Sequence, residues 1–161
     1  MKKGHLLLTL GIGWSLLISC QNNSTSEFTP EQHDAIVDTI EHLVGIFEDG
    51  INNLDLDSQF ALFTDKSDFT FSEDGHILPP KDSMRILFEP KYALYSKMSF
   101  KWDTMRIVVL DNNSAVFTGH AKYTYTTKTG NSGEGHAVAT YAFSKRSGCW
   151  KLIHGHASHS Q

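Results

Sequence analysis

Between Met98 and Ser158 the hydrophobic pattern has a period of two. Apolar and polar side chains alternate over four runs, 98–110, 114–127, 134–144 and 149–158. Alternation of this kind sends successive side chains to opposite faces of a strand. The runs are joined by Asp111-Asn112-Asn113, by the two-glycine loop 128–133, and by Lys145-Arg146-Ser147-Gly148. Such short connections pair neighbouring strands antiparallel, so this half of the chain is expected to be a meander.

The segment before it has a helical period. Thr29-Pro30-Glu31-Gln32 is a helix start, with Thr29 as cap, Pro30 at the first helical position and Gln32 closing a capping box. Ile36, Val37, Ile40, Leu43, Val44 and Phe47 then recur at three-to-four spacing, and Gly50 is the expected stop. A shorter helix is predicted over 53–63 and a third over 80–95, which Pro90 should kink or divide. Between them Phe69-Thr70-Phe71 reads as a short strand and Ser72-Glu73-Asp74-Gly75 as a turn. Helices first and sheet second is the order of an α+β domain, with three N-terminal helices packed on a curved antiparallel sheet. At 161 residues, of which 40% are hydrophobic, one such domain is the natural count.

The N-terminus reads differently. Lys2 and Lys3 precede a mostly apolar stretch that ends in Leu17-Ile18-Ser19-Cys20. The stretch falls short of the roughly 20 residues a membrane span needs. Its end resembles the lipobox of bacterial lipoproteins. The resemblance implies a signal peptide at 1–19, and palmitate-type acylation at Cys20. It also implies attachment to the cell envelope, on the outer membrane (periplasmic face or cell surface) if the source is Gram-negative. Residues 20–28 then form a lipidated polar tether and 29–161 the domain. With Cys20 so used, Cys149 has no partner within the chain and is expected to act as a small apolar residue. The net charge is −4 and no basic run follows the leader, so nucleic acid is not an expected partner.

The final strand, Gly148-Cys149-Trp150-Lys151-Leu152-Ile153-His154-Gly155-His156-Ala157-Ser158, resembles the closing strand of the SnoaL-like branch of the nuclear transport factor 2-like superfamily. Asn53-Leu54-Asp55, Asp74-Gly75 and Gly135 are supporting matches in the right order. The resemblance covers about residues 30–158. It implies a cone-shaped sheet wrapped around the long helix, and frequent homodimers through the sheet. It names no single activity, because members include isomerases, cyclases, dehydratases and proteins with a pocket and no known reaction.

Strict alternation then predicts the lining of the cone. Trp150, Leu152, His154, His156 and Ser158 should face inward from the last strand, with Ala137, Ala139, Tyr141 and Phe143 from the strand before. Phe117, Gly119, Ala121, Tyr123 and Tyr125 join them, as do Met98, Phe100, Trp102, Thr104 and Arg106. Ile107, Val109, Val138 and Ile153 fall on the outer face, where they suit a dimer interface. A small, partly apolar organic molecule is the expected ligand, met by Trp102, Arg106, Tyr123, Tyr141, His154 and His156. The two histidines fit three roles: hydrogen-bonded structural residues, proton-transfer or recognition groups, or two ligands of a metal that would still need a third. No metal site is assigned on them. Arg106 either pairs with an acid such as Asp57, Asp65 or Asp68, or serves an anionic ligand. An acid–base enzyme would draw on His154 or His156 with Asp68 and a tyrosine such as Tyr141. No cofactor fingerprint is present. A dimeric adaptor working through the outer face is the third reading.

Overall fold

The computed structural model describes residues 29–146 and 148–160. The apolar N-terminal stretch, Cys20 and the polar residues after it lie outside the described residues, and so do the expected signal peptide, lipidation and tether. The elements run α1 (Pro30–Asn52), α2 (Leu56–Ala61), β1 (Thr70–Glu73), β2 (His76–Ile77), α3 (Lys81–Leu94), β3 (Tyr95–Asp111), β4 (Ser114–Thr127), β5 (Ser132–Arg146) and β6 (Cys149–Ser160). One sheet contains all six strands, in the order β2-β1-β6-β5-β4-β3. β3 to β6 form the expected antiparallel meander. β1 adds to β6 in parallel, so the sheet is mixed, and β2 pairs back on β1. The result is an α+β fold with a curved sheet around a long helix.

Thr29 caps α1 through the predicted box: its hydroxyl accepts from the Gln32 backbone N–H, and the Gln32 side chain accepts from the Thr29 N–H. Ile36, Ile40, Val44 and Ile51 are the buried stripe of that helix. Gly50 does not end it. A Cβ there would lie 2.7 Å from Gln59 Cγ, so the glycine lets α2 approach. The helix instead ends at Asn52, whose side-chain oxygen accepts from Phe100 N at 2.6 Å and whose amide donates to Phe100 O at 3.0 Å. Those bonds lock the helix end onto the edge strand. α2 starts late, at an Asp55 cap, because Leu54 has a left-handed backbone (φ 55). α3 runs unbroken through Pro90, and the carbonyl that loses its helix partner belongs to exposed Ile86.

Register shifts in β3 and β6 reset the faces of the sheet, and two of them turn over residues expected in the cone. In β6, Leu152 pairs with Phe143 and His154 with Ala142, leaving Ile153 as the extra residue. It sits where β6 changes neighbour, from the Leu62–Thr64 backbone, bonded to Leu152, to β1, paired from His154 onward. An extra residue turns the following side chains over. His154, His156 and Ser158 therefore stand exposed on the outer face, while Gly155, Ala157 and His159 point inward. In β3, Trp102 pairs with Ala121 and Thr104 with His120, leaving Asp103 extra. Thr104 and Arg106 are thereby exposed on the outer face. Ile107 and Val109, expected outside, instead pack against the core. The remaining inward assignments of β3, β4 and β5 hold, and Val138 is exposed on the outer face.

The core has Phe117, Phe143, Ile40, Met84, Leu152 and Val44 as its largest fully buried side chains. At Gly155 the ring of Phe71 from neighbouring β1 lies against the backbone, in the space a Cβ would fill. Gly155→Ala should therefore cost about 2 kcal/mol by overpacking. Chemical denaturation will measure it, and most of the loss should vanish when Phe71→Ala is the background.

Candidate functional site

Small residues hollow out the concave face. Where the sheet could send large side chains toward α1, it offers Ala137, Ala139 and Ala157. The space above them is a cavity of about 360 Å³. Phe47 and Ile51 of α1 form one wall, Phe60 of α2 and Met84, Phe88 and Tyr92 of α3 another. Tyr95, Met98, Phe100 and Trp102 come from β3, Tyr123 and Tyr125 from β4, Tyr141 from β5, and Phe71 from β1. Glycines shape the β4 side. Tyr125 and Tyr123 lay their hydroxyls across Gly133 and Gly135 of β5, where a Cβ would meet each oxygen at 2.5 Å. Both rings therefore lie along the wall.

The polar groups are few. Tyr141 is 3% exposed, lines the cavity, and its hydroxyl bonds to no described residue. Burial pushes that hydroxyl far up, and the negative charge of Glu73 adds to the effect, so it is a proton donor at neutral pH. Tyr92 is pushed up to about 12, first by burial, against the opposing hydrogen bond it donates to Gln59 Oε1 at 2.8 Å. The Trp102 N–H is fully occluded and has no acceptor among the described residues. It is boxed by Phe100 and Phe117, whose ring centroids lie 4.8 and 5.0 Å away, edge to face.

The acid and the imidazole come from the β1 side. Glu73 lines the cavity as the last residue of β1, and His159 lines it from β6. His159 donates its backbone N–H to Asp74 Oδ1 at 2.7 Å, and its Nδ1 lies 3.0 Å from Asp74 Oδ2. Partial burial pushes the Asp74 carboxyl up. The hydrogen bonds from His159 outweigh it and hold the group below the usual carboxylate range. An ionised carboxylate only accepts, so Nδ1 carries a proton, and in the neutral ring Nε2 is the nitrogen with the lone pair. Glu73 Oε1 is 3.8 Å from the same Nδ1, beyond hydrogen-bond reach. The ring of Tyr123 stands edge-on to the imidazole at 5.9 Å.

Of the residues singled out from sequence, Trp102, Tyr123 and Tyr141 meet in the cavity. Arg106, His154 and His156 do not line it, because the extra residues Asp103 and Ile153 turn them to the outer face. His154 Nδ1 instead contacts the Thr70 hydroxyl at 2.7 Å. Asp68 precedes β1 and faces outward, where Arg146 pairs with it at 2.7 Å and holds its carboxyl low. Asp57 and Asp65 are likewise taken, by Arg85 and by Lys81, so none of the three acids proposed for Arg106 is paired with it. Among the described residues no group of three or more His, Cys, Asp and Glu is placed to hold a metal. Sequence reasoning missed Glu73, Asp74, His159, Tyr92 and Tyr95. For Glu73 a signal existed: it lies two residues after Phe71, on the same face, once the strand is extended through the supposed turn. For His159 none did, because nothing in Leu152-Ile153 announces a bulge.

A profile of the SnoaL-like domain family matches residues 40–160. Among solved structures, a type 2 hexachlorocyclohexane dehydrochlorinase superposes with a TM-score of 0.71 at 14% identity, covering 83% of this chain and 90% of its own. A nuclear transport factor 2-like superfamily protein from Salmonella enterica gives 0.72 at 17% identity, covering 80% and 94%. A type 3 dehydrochlorinase from Novosphingobium barchaimii gives 0.70 at 12% identity, covering 83% and 92%. No curated protein matches the sequence.

Proposed function

Because the chain belongs to the family of SnoaL-like domains, we propose that its cone binds a small, largely apolar organic molecule. The observation that carries this reading is the cavity of about 360 Å³ left open above Ala137, Ala139 and Ala157. That volume falls in the usual range for small-molecule sites. Its walls are mostly aromatic, and a few polar side chains interrupt them. The neutral naphthalene dye prodan should bind saturably with blue-shifted emission. Ala139→Phe fills the floor and should weaken the dye at least about tenfold, or about 1.4 kcal/mol. Val138→Phe, one residue away on the outer face, should leave it unchanged. Equal affinity in all three proteins would remove this reading.

The Asp74–His159 bond favours a second reading, an acid–base enzyme. The carboxylate orients the ring, Nε2 serves as base, and the Tyr141 hydroxyl serves as donor. The two dehydrochlorinase neighbours are named for an elimination, a reaction such a set of groups suits. A nitrobenzisoxazole probe tests this directly: a base removes its carbon-bound proton, the N–O bond breaks, and a phenolate is released. His159→Ala should lower kcat/KM for this probe by about 100-fold. A rate unaffected by that change would leave binding as the sole function.

We also propose that Cys20 anchors the domain to a membrane. The support is the run Leu17-Ile18-Ser19-Cys20 behind a basic start. Cells fed an alkynyl fatty acid should label the wild-type protein, and Cys20→Ser should abolish the label. Persistent label on the variant would refute the anchor.

A further inference from the structure

Building on the ligand-binding reading, we infer that the molecule held in the cone is an organic cation, an apolar body carrying a protonated amine. Among the described residues that line the cavity, Glu73 is the one acid. Its side chain is only 21% exposed, and it accepts no hydrogen bond from any described residue. A carboxylate so enclosed is costly unless a donor or a cation reaches it.

The protein's own cations meet that need only in part: a protonated His159 stands within ion-pair range of Glu73 but spends its hydrogen bond on Asp74. The His159 imidazole is committed to Asp74 at 3.0 Å and stands 3.8 Å from Glu73. Two acids thus share one imidazole, so even a protonated ring leaves that Glu73–Asp74–His159 cluster with one negative charge over. Lys91, the other basic residue of the lining, projects over the ring of Phe88 at 5.1 Å and makes no ion pair with Glu73. The space facing the carboxylate is walled by π faces and by the hydroxyls of Tyr92 and Tyr141, whose acidity the Glu73 charge depresses. Ring faces attract cations, most strongly where water is excluded. An anionic ligand would instead meet Glu73 and Asp74, with Lys91, drawn over the Phe88 ring, as the remaining positive group of the lining.

The test uses three probes of one shape and different charge: naphthylmethylamine, naphthylmethanol and naphthylacetate. Calorimetry on the purified protein at pH 7 should rank amine above alcohol above acetate, the amine leading by about tenfold or more. Glu73→Gln keeps the shape and the polar contact and removes the charge. It should bring the amine within about threefold of the alcohol and leave the alcohol unmoved. If the alcohol or the acetate binds wild type as well as the amine does, the charge inference is overturned and the binding pocket stands. If none of the three binds and prodan fails as well, both fall together.

Discussion

A strand has room for one register at a time, and an extra residue turns over everything beyond it. The bulge at Ile153 is the point on which the cone depends. Before it, β6 is tied to the Leu62–Thr64 backbone; after it, the same strand accepts β1 in parallel. One inserted residue lets a single strand serve both neighbours. It also puts Gly155 and Ala157 against the rings of the interior and turns His154 and His156 away from it. The bulge at Asp103 does the same for β3, placing Met105, Ile107 and Val109 on the face shared by Gly119, Phe117 and Ala115.

The cavity is a deficit of side-chain volume at a place the backbone cannot close. Close packing would normally fill such a space. Here the strands that run under it carry alanines, and the large rings are held to the periphery. Phe117 stacks on Tyr141 with centroids 5.7 Å apart, and Phe47 meets Tyr141 edge-on at 5.4 Å. This ring network fixes Tyr141 without using its hydroxyl, which is how a residue so deeply buried can present a free donor. The acidic end lies across the cavity, on β1 and the turn that follows it.

Much of the architecture was legible in the amino-acid sequence. The capping box at Thr29, the period-two runs and the three turns located α1 and β3 to β6 to within a few residues, because local hydrogen bonding and one-sided burial govern them. The inward faces of β4 and β5 were read correctly since those strands pair without a shift between them. What could not be read were the events set by distant partners. Ile153 and Leu152 are both aliphatic, and either would suit the interior, so their pattern is silent on which one is extra. Asp103 looks like an ordinary outward residue until Glu48 of α1 accepts from Trp102 N at 3.0 Å beside it. The short β1 and β2 were obscured by Asp74-Gly75, a strong turn signal, and with them went Glu73. Half of the site was therefore visible as aromatic rings, and the charged half was not.

The parallel pairing of β1 with β6 joins Thr70 to His154 and Glu73 to Ala157 across nearly the whole sheet-forming half of the chain. Contacts so distant in sequence are slow to form, because the loop-closure entropy comes before any gain from the contact. The groups facing one another at the mouth thus belong to the most non-local part of the topology. A nascent chain that has not yet released β6 holds every aromatic wall of the pocket but lacks the imidazole. Completion of the binding chemistry in this way waits on the synthesis of β6.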